Sequence, residues 1–441
     1  MTECNSQFDL FSIGRRSVTA LFVDAALSSD IGVVLVGRVD RRFRITERLA
    51  PTLRDRRDPS KVQHSTVDLL RQRAYQIACG YEDASDGNTL RHDAGFQLAL
   101  ERVPDAAAAL ASQPTMSRFE QRGYSELLAF SNALCDIWIE RLHLRARRTK
   151  RPLRIVLDID STDLVTYGEQ QLALFNGHYD NYVYHPLLVF DQHGWPVAAV
   201  LRPGNTRSAG VVAVLARIHR RLREAGLRFD MTLRADAGFS LPELYSLCES
   251  LGVRYVIGLI THASLTARIE PEMRQARAMA EVEGKARLIT EFMMRWGRKT
   301  PHRRRIIAKA EITTLGENPR FVITNIEATP EEIYDFYTGR GQCENHIKEL
   351  KNAVLGDRMS CHSFAANQFR LLVHVTAYVL MYLLRETLAE TPLGNVQMDT
   401  LRLRLLKVAA VVRVTARRIW LELSASHPSA SLWPRLVPLL A

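Results

Sequence analysis

The chain has 441 residues, longer than a single core usually grows, so a main domain with flanking parts is expected. Hydrophobic residues at 46% and charged residues at 24% argue against long disordered tracts, and a formal charge of +11 favours a polyanionic partner. Six cysteines, at 4, 79, 135, 248, 343 and 361, include no close pair, which argues against a zinc finger or a disulfide framework and fits a reducing cytoplasm.

The first ten residues are acidic and polar, not basic then apolar, so no signal sequence is read. Gly32 to Val36 reads as a short strand, followed by a basic run from Arg38 to Arg57 and helical patterns over 66–78 and 89–100. A longer helix is expected from about Glu120 to Arg147, ending in a cluster of cations before Pro152. Residues 1–150 are therefore expected to form a separate, mostly helical N-terminal region.

From Leu153 the period changes to two: Leu153, Ile155, Leu157 and Ile159 alternate with Arg154, Val156, Asp158 and Asp160. Asp158 and Asp160 thus share one strand face. Strands at 182–190 and 196–201 flank a short turn and form an antiparallel hairpin. A helix capped by Ser208, a strand at 231–235, a helix at 241–251 and a strand at 254–260 complete a mixed sheet, hence an α/β layered fold. Asp236 stands where the strand at 231–235 gives way to a Gly-containing turn, a place suited both to function and to ordinary turn chemistry.

Residues 284–310 carry nine Lys or Arg against one acid, Glu291, among three strand-like segments. This predicts a basic β insertion that tracks phosphates, with Arg298, Lys299, Arg303, Arg304 and Arg305 as candidate DNA contacts. Trp296 among these cations suits stacking on an unpaired base; an ordinary buried Trp is the other reading. Residues 401–441, with seven basic residues and one acid, are expected to form a basic helical tail.

Thr329-Pro330-Glu331-Glu332 starts a helix expected to run to about Val354, weakened locally by Gly339 and Gly341. Tyr337, Arg340, Glu344 and Lys351 fall within an arc of about 60° on that helix. Phe336, Ile347, Leu350 and Val354 occupy the neighbouring arc and can pack on the sheet. Beyond it, the apolar run Leu371 to Leu384 includes His374 and is too short to span a bilayer comfortably, so it is read as a buried helix with no membrane role.

The segment Tyr337-x2-Arg340-x3-Glu344-x6-Lys351 resembles the Y-R-E-K signature of DDE insertion-sequence transposases with a ribonuclease-H-like core. Asp160-Ser161-Thr162-Asp163 looks like the first-acid motif of that family, and Asp236-Ala237-Gly238-Phe239 looks like its second. Gly80-Tyr81-Glu82-Asp83, Ser112-Gln113-Pro114-Thr115, Phe175-Asn176-Gly177 and Leu201-Arg202-Pro203-Gly204-Asn205 extend the resemblance to the bacterial group-one type over about residues 80 to 355.

The resemblance implies a ribonuclease-H-like mixed sheet with flanking helices, with the core over 151–262 and 326–400 and a β-rich insertion over 263–325. It implies Asp160, Asp236 and Glu344 as catalytic acids, with Asp158 the rival of Asp160. Three carboxylates suit a two-metal Mg²⁺ site in which Mn²⁺ substitutes, because these ions prefer hard oxygen ligands. Arg340 and Lys351 are expected at phosphates near the scissile bond. Tyr337 either positions the strand or packs.

The implied activity is cleavage at the terminal inverted repeats of a mobile element and transfer of the ends to target DNA, cut and paste, by a dimer on paired ends in a bacterial cytoplasm. A nuclease of the same fold without strand transfer, or an inactive domesticated DNA-binding copy, are the alternatives.

Overall fold

The computed structural model describes residues 7–23, 25–105, 109–149, 151–295 and 302–440. Eight strands form one continuous sheet: β1 (Leu153–Ser161), β2 (Leu187–Asp191), β3 (Pro196–Val200), β4 (Phe229–Ala235), β5 (Arg254–Leu259), β6 (Ala286–Arg295), β7 (Arg303–Thr313) and β8 (Arg320–Thr324). Their order is β6-β7-β8-β5-β4-β1-β2-β3, and a two-residue strand at 316–317 adds to β7. β1, β4 and β5 run parallel, as their helical connections require, whereas β1, β2 and β3 form an antiparallel meander across short turns. This is the ribonuclease-H-like mixed sheet expected from the sequence.

The basic segment between the second and third acids is β-rich, but it is not a separate small sheet. β8 pairs antiparallel with β5, placing Val256 opposite Thr324 and Leu259 opposite Phe321, so the insertion extends the core sheet past what would be its edge. That coverage removes a row of unpaired backbone groups from β5. A helix at Glu270–Glu283 packs on β6 and β7.

Four helices position the site: α1 (Tyr124–Ala146), α2 (Pro330–Thr338), α3 (Gly341–Lys348) and α4 (Phe364–Thr387). α4 contains the apolar run and is buried on all sides from Phe369 to Leu384, between β3 and the N-terminal helices. Burial all round, and not membrane insertion, explains a helix apolar on every face. Among the described residues no helix is long and apolar enough to cross a membrane.

The N-terminal helices do not form a separate body. Val33, Leu70, Trp138, Leu233 and Leu380 belong to one contiguous core, and Glu120 sits buried between Arg73 and Arg370, at 2.8 and 3.2 Å, tying the helix Thr66–Ala78 to α4.

Two local expectations fail. The apolar run at 32–36 is the start of a helix, Val33–Phe43, because short apolar runs do not distinguish strand from buried helix. Its Gly32 lies against Leu405, where a Cβ would come within 1.7 Å of the carbonyl oxygen. The stretch from 401, expected to be helical, instead contains the strands Ala410–Val414 and Ile419–Leu423. The first of these pairs with Ala26–Ser28, and only a short helix, Trp433–Leu440, follows.

Candidate active site

The parallel register of β1 and β4 sets the site. Arg234 lies opposite Asp158 and Ala235 opposite Ile159, so one step further along both chains brings Asp236 beside Asp160 at the carboxyl ends of the strands. The two acids of β1 then part company. Asp158 is buried and receives two hydrogen bonds from Arg234, Nε to Oδ1 at 2.7 Å and Nη2 to Oδ2 at 2.8 Å. Arg234 also donates to the Phe336 carbonyl at 3.0 Å and lies over the Phe336 ring, which fastens α2 to the sheet. Gly339 makes room for it: a Cβ there would stand 2.4 Å from Arg234 Nη1.

Asp160 has different partners. Its Oδ1 accepts from the Ser161 backbone N–H at 2.8 Å, and its Oδ2 from Arg340 Nη1 at 2.8 Å. Burial, reinforced by the neighbouring Asp236 and Glu344 and opposed by Arg340, pushes the Asp160 carboxyl up to about 6. Asp236 accepts from the Gly238 N–H at 2.9 Å, an Asx turn that starts the single 3-10 turn Ala237–Phe239.

The helix expected over 329–354 is two helices and a π turn. Thr329 and Glu332 form the anticipated capping box; α2 ends at the Gly339-Arg340 step, α3 follows, and a π turn spans Glu349–Ala353. This break leaves the four signature residues at the site. Arg340 bridges Asp160 and Glu344, reaching Glu344 Oε1 at 3.1 Å. Lys351 Nζ donates to Asp163 Oδ1 at 3.1 Å, to the Asp163 carbonyl at 3.0 Å and to Thr162 at 3.3 Å. Asp160, Asp236, Arg340, Glu344 and Lys351 line one cleft of about 430 Å³.

Tyr337 is half-buried with its hydroxyl over Gly258 of β5. A Cβ at Gly258 would lie 2.6 Å from that oxygen and 2.9 Å from the Ala237 N–H nitrogen. Gly258 was not singled out from sequence, although a glycine inside an apolar strand is itself a signal of close approach.

Among the described residues no three Asp, Glu, His or Cys side chains stand in a metal-ligating arrangement; the Arg340 guanidinium stands between Asp160 and Glu344 instead. The donors are all carboxylate oxygens, and burial together with the neighbouring acids Asp236 and Glu344 raises the pKa of Asp160. Both properties fit a hard divalent cation.

The basic insertion is less available to DNA than its charge implied. Trp296, Arg298 and Lys299 lie outside the described residues. Arg303 is exposed at the start of β7. Arg304 is buried, pairs with both oxygens of Glu249 at 2.7 and 2.9 Å and lies over the Tyr245 ring. Arg305 donates to Glu291 and to the carbonyls of Ile326 and Ala328 at 2.8 Å. Arg304 and Arg305 are thus engaged within the protein, Arg304 by an acid 55 residues away in the chain and Arg305 by Glu291 of the same basic segment, and are less free for phosphate than their charge implied.

A sequence model of the family described as Transposase DDE domain group 1 matches residues 11–441. No curated protein matches the chain significantly. A cryo-EM structure of a piggyBac transposase synaptic complex with hairpin DNA matches over 86% of this chain and 80% of that one, at 10% identity and a TM-score of 0.41.

Proposed function

Since the chain belongs to the transposase DDE domain group 1 family, we propose that it binds the terminal inverted repeats of its own mobile element, cleaves there and joins the ends to target DNA by cut and paste. Asp160, Asp236 and Glu344 are the catalytic acids in this reading. The observation that carries it is their meeting on one cleft, with Asp160 held between the charges of Asp236, Glu344 and Arg340.

These three acids would hold two Mg²⁺ ions, or Mn²⁺ in their place, which neutralise charge at the phosphoryl group and activate the attacking oxygen. The chain's own residues do the rest. Arg340, once the acids take another cation, is free to turn its guanidinium toward a phosphate, and Lys351 supplies a second positive charge at the same mouth. Tyr337 fixes α2 against Gly258 and so sets where Arg340 and Glu344 stand. Asp158, committed to Arg234, holds the two layers in register and is a positioning residue.

End recognition is assigned to the N-terminal region, where Arg54, Arg56, Lys61 and Arg118 border an open cleft of about 720 Å³. A dimer on paired ends follows from the family resemblance.

The test compares wild type with Asp160→Asn, Asp236→Asn and Glu344→Gln for binding, Mg²⁺-dependent cleavage and joining of DNA carrying the element's ends. Binding without cleavage in all three supports the site. Cleavage that survives the Asp236 and Glu344 changes overturns it, and wild-type hydrolysis without end preference or joining points instead to a nuclease of this fold.

A further inference from the structure

Asp160 and Asp236 also border a second cleft, of about 790 Å³, whose lining does not include Lys351. One wall is a small three-stranded sheet inserted between β1 and β2, made of Leu164–Val165, Leu174–Asn176 and Asn181–Tyr184. That sheet carries an unusual density of rings. Phe175 and Tyr182 are each about half exposed and meet edge to face at 5.7 Å. His178, Tyr179 and His185 follow in a chain of ring contacts at 4.8 and 5.8 Å. Phe175, His178, Tyr179 and His185 all line the cleft.

The wall is rigid. Asn176 donates to the Gly204 carbonyl at 2.7 Å, and a Cβ on Gly204 would fall 2.1 Å from the Val183 oxygen and 2.3 Å from that of Leu174. The loop after β3 is thus clamped onto the small sheet. His185 Nδ1 lies 2.6 Å from the Thr206 carbonyl, which places the proton on that nitrogen, and burial lowers the ring's tendency to charge.

The lining chemistry selects the occupant. Arg207 is the one Lys or Arg on this cleft among the described residues, and the two acids stand at one end, so phosphate is not what the walls recognise. Aromatic faces, the Asn205 amide and the hydroxyls of Thr206 and Ser208 are what they offer. The volume is that of a small-ligand site. Flat rings beside hydrogen-bonding groups, one step from a phosphodiester held at the acids, suit a base and not a duplex groove.

We infer that this cleft receives an unpaired nucleobase of the strand that passes through the acid site, stacked on one of the two perpendicular rings, Tyr179 or His178, with the other at its edge. The inference rests on the proposed function for the presence of DNA at the acids. It adds a subsite that leaves the strand locally single at the point of cleavage.

The test uses the full chain without metal. Affinities are measured for a labelled twelve-nucleotide thymidine strand and for a strand of the same length with abasic positions, for wild type, Tyr179→Ala, His178→Ala and Tyr179→Phe. The wild type should prefer the strand with bases by about tenfold or more, the range expected of aromatic stacking. Tyr179→Ala and His178→Ala should each shrink that preference, and Tyr179→Phe should keep it. Equal affinity for the two strands in wild type, or an unchanged preference in both alanine variants, overturns the inference. Metal-dependent cleavage of duplex ends by the wild type is read separately, so either of these two results with that cleavage intact rejects this subsite alone, whereas absence of wild-type cleavage rejects the transposase reading.

Discussion

Asp158 gives both of its oxygens to Arg234, across the pair of parallel strands whose next register step carries Asp160 and Asp236. Two acids two residues apart on one strand face therefore have different partners. Breaking a buried ion pair leaves an uncompensated charge and costs about 3–5 kcal/mol. Arg234→Ala should destabilise the protein by an amount in that range in urea melts, and Asp158→Asn by less, since the amide still accepts from the guanidinium. Asp160→Asn should instead abolish cleavage in a protein that folds normally. A stable Asp158→Asn protein without activity, beside an active Asp160→Asn, would reverse the roles.

The carboxyl of Asp160 also predicts a stability effect. Its folded value near 6 lies above the ordinary carboxylate value of about 3.8, so the folded state holds this proton more tightly. The resulting stability is fully present below about pH 4 and is lost as pH rises through 6. At pH 8, without metal, the wild type should be less stable than Asp160→Asn by about 3 kcal/mol, at about 1.36 kcal/mol for each tenfold change in proton affinity. The gap should close by pH 4, and added Mg²⁺ should narrow it at pH 8. Denaturant melts at the two pH values check this; equal stabilities at pH 8 would reject it.

His374 produces the opposite slope. The ring is buried in α4 with Nδ1 2.6 Å from the Val354 carbonyl, and burial pushes it down to about 3. The unfolded chain takes up a proton below about pH 6.5 that the folded chain refuses, so stability is complete above that value and falls with acidification towards pH 3. Between pH 7.5 and 5 the loss from this group should be about 2 kcal/mol. His374→Gln should flatten that part of the profile, whatever it does to stability at pH 7.5. A profile as steep as the wild type's would show that His374 does not titrate as described.

Gly258 and Tyr337 form a contact that a single methyl group would break. Gly258→Ala should reduce cleavage by about tenfold or more by pushing α2, and with it Arg340 and Glu344, off the strand ends. Tyr337→Phe removes the oxygen at 2.6 Å but leaves the Ala237 backbone at 2.9 Å, so the double variant should recover only part of the loss. Kinetics of the two single variants and the double variant measure the coupling, and full activity in Gly258→Ala would exclude it.

The layered fold was legible because strand and helix periods differ and because the capping box at Thr329 marks α2 without ambiguity. The different surroundings of Asp158 and Asp160 were not legible from periodicity, since Arg234, which binds Asp158, is 76 residues away in the chain. The same limit explains Arg304 and Arg305: a run of cations reveals its charge, but the pairing of Arg304 with Glu249 and of Arg305 with Glu291 and two carbonyls is known only once the sheet is folded. The strand expected at 32–36 has a related cause, since the packing of Gly32 on Leu405 settles what a five-residue apolar run leaves undecided.

The pairing of Ala26–Ser28 with Ala410–Val414 has a consequence for synthesis. Ala26–Ser28 must wait for a partner made long after it, so this three-stranded sheet closes only once residues 410–414 have left the ribosome. A product that stops short of those residues would carry an unpaired strand, which proteolysis should remove.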